Sequence, residues 1–164
     1  MPDDLHACES GTWTAQPNGH GRFPCGRSIP AASPDPSGNG PRPEPILVVE
    51  DNPVNQKVLA ALLRKRGYEV DVANDGAQAI QLVAEKKYGL ILMDLQMPVL
   101  DGLEAARLIR SFEGCPQPPI IAITAYTLNN EKQKCLEAGM NGYLPKPVDT
   151  ETLFDCVEKC LRSA

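Results

Sequence analysis

The chain has 164 residues, with 16 Lys and Arg against 21 Asp and Glu, for a formal net charge of −5. That length suits one domain with a real core, and the acidic balance argues against nucleic-acid binding through a basic surface. No apolar run approaches the ~20 residues a membrane helix needs. The N-terminus, MPDDLHACES, has neither the basic start nor the apolar stretch of a secretory signal, and six cysteines in a chain this long make no disulfide scaffold. A reduced, cytoplasmic protein without membrane contact is the expectation.

The first 45 residues hold nine of the sixteen prolines and six of the thirteen glycines, with almost no apolar periodicity. The stretch IPAASPDPSGNGPRPEP (29–45) lacks the apolar surface needed to offset its ordering entropy. Residues 1–44 are therefore expected to be a disordered tail or linker, and 45–164 the folded domain. The tail holds Trp13 and four zinc-ligand types, His6, Cys8, His20 and Cys25, whose spacing matches no common zinc pattern.

From Pro45 onward short apolar runs alternate with helical patterns. ILVV (46–49), LILM (90–93) and IIAI (120–123) read as parallel strands covered on both faces. YEVDV (68–72) alternates, which suits a strand near an edge, and GYL (142–144) makes a short last strand. Asn52-Pro53 suits an N-cap and first helical residue, with Gly67 as the stop. The apolar faces are expected at Val54, Val58, Ala61 and Leu62; at Ala77, Ile80, Val83 and Ala84; at Leu103, Ala106 and Ile109; and at Leu153, Val157, Cys160 and Leu161. Thr127 can cap a more polar fourth helix that ends before Gly139. Cys156 and Cys160, one turn apart in the last helix, read as small core hydrophobes.

Five strands alternating with five helices give a doubly wound α/β fold with a five-stranded parallel sheet and right-handed crossovers. For this size the expected order is flavodoxin-like, 2-1-3-4-5, with the site at the carboxyl ends of the strands beside the switch point.

That rule gives meaning to LILMDLQMPVLDG (90–102), where a carboxylate, Asp94, follows a buried strand at once. A buried acid is costly unless something pairs with it. Strand one ends in Glu50-Asp51, strand four in Thr124, and strand five is followed by Lys146, so these polar groups converge on Asp94. Three crowded carboxylates repel one another and are pushed toward protonation. A hard cation removes the conflict, and Mg²⁺ takes one or two carboxylates plus phosphate and water oxygens. Asp51 and Asp94 are the expected direct ligands, with Glu50 acting through water and the backbone carbonyl of Gln96 adding another oxygen. Lys146 and Thr124 suit phosphoryl oxygens, as a point charge and a hydroxyl donor, although an ordinary Lys–Asp salt bridge would use the same residues. Asp94, the acid at the centre, is the candidate nucleophile, forming an aspartyl phosphate.

The segments ILVVEDNPVNQKVL, LILMDLQMPVLDG, IIAITAY and KCLEAGMNGYLPKP resemble a response-regulator receiver domain, most of all the receivers of hybrid sensor histidine kinases. The resemblance spans the whole domain and leaves out the tail. It implies Asp94 as phosphoacceptor, Glu50 and Asp51 as the acidic pair for Mg²⁺, Thr124 as switch hydroxyl, Lys146 as the site lysine, and a cis peptide at Lys146-Pro147. It also implies Tyr143 as the aromatic switch residue, a position equally suited to a half-buried strand tyrosine. Gln96 and Tyr126 fall at positions that tune dephosphorylation in such domains.

The function so implied is a phosphorelay receiver that takes a phosphoryl group from a histidine kinase or histidine phosphotransfer protein and alters an output face, with a phosphorylation-dependent dimer left open. The only histidines, His6 and His20, lie in the tail, so the phosphohistidine donor is expected outside this chain. Direct transcription control through a DNA-binding segment is not expected; a stand-alone receiver or the C-terminal piece of a hybrid kinase both fit, and the linker-like tail leans toward the second. Such a domain catalyses its own phosphorylation without a kinase domain. A Mg²⁺-dependent phosphohydrolase with an Asp nucleophile is the alternative, but it usually carries a second acid two residues on, where this chain has Gln96. A flavodoxin-like cofactor binder is disfavoured because no Ser/Thr/Gly-rich phosphate loop follows the first strand.

Overall fold

The computed structural model describes residues 44–112, 117–125 and 129–163. The expectations for the tail, for its zinc-ligand types and for Tyr126 and Thr127 lie outside the described residues.

Strands and helices alternate in the order β1 (Ile46–Val49), α1 (Pro53–Lys65), β2 (Val70–Ala73), α2 (Gly76–Glu85), β3 (Leu90–Asp94), α3 (Gly102–Arg110), β4 (Ile120–Thr124), α4 (Asn129–Glu137), β5 (Gly142–Pro145) and α5 (Thr150–Ser163). The strands form one parallel sheet in the order β2-β1-β3-β4-β5, as the chain pattern predicts. β2 is an edge strand, in keeping with its alternating sequence. It starts at Val70 rather than Tyr68 because the Tyr68 amide donates to Leu63 O at the end of α1, 3.2 Å away.

Every residue of the apolar tetrads is buried, since helices cover both faces of the sheet. Alternation along the strands sorts them. Leu47, Val49, Ile91, Met93, Ile120 and Ala122 join the core under α2, α3 and α4. Ile46, Val48, Leu90, Leu92, Ile121 and Ile123 join the one under α1 and α5.

Helix starts follow short polar side chains. Asn52 Oδ1 accepts from Val54 N at 2.9 Å, Asp75 Oδ1 from Gln78 N at 2.7 Å and Asp101 Oδ1 from Glu104 N at 2.8 Å, each cap contributing about 1 kcal/mol. Gly67, at φ +89°, takes the left-handed conformation that stops α1.

The buried faces of two helices differ from expectation. On α1, Leu59, Ala60 and Leu63 are buried, while Val54 and Val58 are 66% and 52% exposed and Ala61 faces solvent. This helix carries two apolar stripes, and periodicity alone does not say which one the sheet takes. On α2, Ile80 and Val83 pack against the core as expected, but Ala77 and Ala84 are exposed, and Gly76 and Ala79 are the buried residues. A Cβ on Gly76 would come 2.9 Å from Leu100 O and 3.0 Å from Ala105 Cβ, so α2 approaches α3 through its smallest residues. α5 buries Leu153, Cys156, Val157 and Cys160 as expected, and α3 buries Ala106 and Ile109 with Leu103 half-buried.

Arg110, at the end of α3, was not singled out by its sequence context. Its guanidinium donates to Gly139 O (2.9 Å), Pro118 O (2.8 Å), Gln117 Oε1 (3.1 Å) and Asn141 Oδ1 (2.7 Å). Asn141 Oδ1 in turn accepts from Ile120 N at 3.0 Å. One side chain thus ties the end of α3 to the entries of β4 and β5, and burial lowers its pKa to about 10.

Candidate functional site

The site forms where the carboxyl ends of β1, β3, β4 and β5 meet. Asp94 is the last residue of β3 and is only 1% exposed. Both of its oxygens are engaged: Oδ1 accepts from Gln96 N at 3.0 Å, and Oδ2 from Lys146 Nζ at 2.9 Å. The chain can turn here because α3 begins with glycine. A Cβ on Gly102 would lie 2.2 Å from Asp94 O, so no other residue fits against that carbonyl.

Glu50 follows β1 and is equally buried. Its Oε1 accepts from Asn52 N at 3.3 Å. Its Oε2 is buried without a hydrogen bond and meets the Lys146 ammonium as an ion pair at 3.3 Å. Burial raises the Glu50 pKa above the ordinary value, and the neighbouring Asp94 raises it further, against the opposing pull of Lys146 and the Asn52 amide. Asp51 lies beside it at an exposed bend.

Lys146 reaches the acids because its own amide donates to Thr124 O at 2.8 Å, extending the β4–β5 ladder. Burial alone would lower its pKa, yet the hydrogen bond and charge of Asp94, with Glu50 behind, raise it overall. The Lys146-Pro147 peptide is cis. Thr124 ends β4, buried, one register position beyond the Asp94–Ile123 pair. Tyr143 is buried in β5, with Lys132 Nζ of α4 at 5.0 Å from its ring centroid. At Gln96 the structure places the amide, as the donor to Asp94.

One carboxylate oxygen each from Glu50, Asp51 and Asp94 lies within 4.8 Å of the other two. An all-oxygen donor set, with a buried Glu50 Oε2 that accepts no hydrogen bond, fits a hard divalent cation such as Mg²⁺. Sequence reasoning assembled these acids and Lys146. It missed a row of amides, Gln56, Asn74 and Gln78, behind Glu50, because polar residues near helix starts carry no distinguishing spacing.

Fold and site together define a flavodoxin-like α/β domain with a lysine-bridged acidic site at its switch point. The chain belongs to the response regulator receiver domain family, which matches residues 46–158.

It is 42% identical over 128 residues to hybrid signal transduction histidine kinase I of Dictyostelium discoideum, covering 74% of this chain and 7% of that protein. The chain thus spans a small part of such relatives. Among solved structures it resembles the receiver domain of sensor histidine kinase PA1611 from Pseudomonas aeruginosa PAO1, at 46% identity and TM-score 0.67 over 72% of this chain and 97% of that one. That structure carries a magnesium ion coordinated in the active-site cleft. It also resembles a chain of the Saccharomyces cerevisiae complex between the histidine phosphotransfer protein Ypd1 and the receiver domain of Ssk1. There the identity is 37% and the TM-score 0.68, over 73% of this chain and 90% of that one.

Proposed function

We propose that the chain is a phosphorelay receiver in which Asp94 accepts a phosphoryl group from a phosphohistidine on a histidine kinase or histidine phosphotransfer protein. The observation that carries this reading is the buried Asp94 carboxylate held between Lys146 and the acidic pair. A resting salt bridge alone would not need two further acids within reach. The complex formed by the Ssk1 receiver with Ypd1 supports a donor of the phosphotransfer class. Residues 45–164 are the receiver in this reading and 1–44 its tail or linker, in a cytoplasmic setting.

In the transfer an Asp94 oxygen forms the new bond to phosphorus while the P–N bond breaks, its electron pair returning to the imidazole. Lys146 Nζ, at 2.9 Å from Oδ2, is placed to follow the charge onto the phosphoryl oxygens. The Gln96 amide holds Oδ1 and so fixes the rotamer of the nucleophile. Thr124 then supplies a hydroxyl to one phosphoryl oxygen. Mg²⁺, held by Glu50, Asp51, Asp94 and the Gln96 carbonyl, would offset the negative charge gathered there. A phosphohydrolase is disfavoured because Gln96 offers no second acid for the leaving group.

Incubation of the full chain with Mg²⁺ and acetyl phosphate, followed by intact-mass measurement, tests the assignment. Wild type should gain one acid-labile phosphate and Asp94→Asn none. Equal labelling of the two proteins would sink it.

A further inference from the structure

Three side-chain amides behind the acidic cluster form one hydrogen-bonded row. Gln56 Nε2, on α1, donates to the backbone carbonyl of Glu50 and also to Asn74 Oδ1, the latter at 2.8 Å. Asn74 Nδ2, past the end of β2, donates to Gln78 Oε1 at 3.0 Å, and the Asn74 backbone N–H donates to that same oxygen at 2.7 Å.

The polarity of this row is determined at both ends. A backbone carbonyl only accepts, so Gln56 must present its NH₂ to Glu50. A backbone N–H only donates, so Gln78 must present its oxygen to Asn74. Between those ends a single orientation of each amide satisfies every partner.

The row ends on the peptide that joins Glu50 to Asp51. The Glu50 N–H is already taken by Ala73 O at 3.1 Å. Gln56 holds the carbonyl, so both backbone polar groups of Glu50 are restrained. Asp51 sits at an exposed bend between β1 and α1, and its carboxylate takes its position from the peptide that precedes it.

We infer that Gln56 is a positioning residue for the metal site, setting the Glu50–Asp51 peptide so that the Asp51 carboxylate stays beside Asp94, with Asn74 and Gln78 orienting its amide. The inference rests on the reading of Glu50, Asp51 and Asp94 as the Mg²⁺ site. Groups that hold a metal ligand in place are commonly worth 10- to 100-fold in affinity. It also predicts opposite outcomes for the same substitution at the two ends of the row. Gln56→Glu sets an acceptor against two acceptors, Glu50 O and Asn74 Oδ1, and breaks the row. Gln78→Glu keeps the acceptor that both Asn74 donors need.

The test is a Mg²⁺ titration of the ¹⁵N-labelled full chain, read from amide shifts around the site, for wild type, Asp51→Asn, Gln56→Met, Gln56→Glu and Gln78→Glu. Gln56→Met and Gln56→Glu should weaken binding by about tenfold or more, and Gln78→Glu by less than about twofold. The Asp51 amide should also shift in the metal-free Gln56→Met spectrum, because the hydrogen bond to the preceding carbonyl is gone. Added negative charge by itself would tighten Mg²⁺ binding, so tighter binding by Gln56→Glu overturns the inference. Wild-type affinity in Gln56→Met overturns it too, as does equal weakening in Gln78→Glu. Loss of the dispersed spectrum in Gln56→Met would make Gln56 a residue of the fold and likewise overturn it. If wild type shows no saturable Mg²⁺ binding, or Asp51→Asn binds as wild type does, the metal-site reading itself falls.

Discussion

Lys146 Nζ lies 2.9 Å from Asp94 Oδ2 although 52 residues separate them in the chain, and the same ammonium stands 3.3 Å from Glu50 Oε2. One cation therefore bridges two buried carboxylates, one just past the end of β1 and one at the end of β3. The bridge exists because β5 pairs beside β4, and the Lys146 amide continues that ladder onto Thr124 O.

Replacing Lys146 with Met should expose the cost of leaving those acids together. Breaking a fully buried pair costs about 3–5 kcal/mol. Lys146 keeps some solvent contact, so we expect a loss of about 2 kcal/mol in metal-free urea denaturation. Added Mg²⁺ should raise the melting temperature of this variant more than that of wild type, since a cation that binds the native state then replaces the missing charge. Equal metal-free stability of the two proteins would show that the ammonium offsets nothing.

Thr124→Ala should separate phosphorylation from its readout. Asp94 should still accept phosphate from acetyl phosphate, more slowly than in wild type. Amide shifts in the 129–160 region should respond far less to phosphorylation or to a beryllofluoride mimic. The motive is the placement of Tyr143 in β5 under Lys132 of α4, on a face that a new phosphate can bias between two arrangements. Backbone NMR of both proteins decides it, and shifts matching wild type would remove Thr124 and Tyr143 from the switch.

Gly102→Ala should be among the most damaging single-methyl changes in the domain. Its Cβ would sit 2.2 Å from the Asp94 carbonyl oxygen, a backbone atom that cannot yield without moving the nucleophile. A loss of about 3 kcal/mol, at the upper end for overpacking, is expected from urea midpoints, together with slower labelling by acetyl phosphate. Wild-type stability would mean that the β3–α3 turn can open without cost.

Asp71, on the edge strand, gives a pH dependence away from the site. The hydrogen bond from Lys86 Nζ at 2.8 Å holds its carboxyl below the ordinary value of 3.8. Burial opposes this and the Tyr88 hydroxyl, also at 2.8 Å, assists it. A depressed folded pKa means stability that is present in full above 3.8 and lost as pH falls through the lower folded value. Asp71→Asn should therefore melt about 2 °C below wild type at pH 7, the scale of a solvent-screened pair. The two melting curves should converge in strong acid, and a difference that persists there would assign the effect to packing.

Strand positions were legible from the chain because each apolar tetrad is long enough for a strand and too short for a helix, and both faces of a parallel sheet demand apolar residues. Asn52-Pro53 and Gly67 marked the ends of α1 because capping and left-handed turns are chemistry of adjacent residues. The alternation of elements in a domain of this size made 2-1-3-4-5 the expected strand order, and with it the convergence of Glu50, Asp51, Asp94 and Lys146.

Tertiary structure decided what local sequence leaves degenerate. α1 carries two apolar stripes, and only docking on the sheet selected Leu59, Ala60 and Leu63 over Val54 and Val58. Arg110 and Gln56 look like ordinary surface polar residues until their distant partners, the Gly139 carbonyl for Arg110 and the Asn74 side chain for Gln56, are brought beside them. Periodicity and capping act over a few residues. A hydrogen bond to a distant carbonyl depends on where the whole chain has gone.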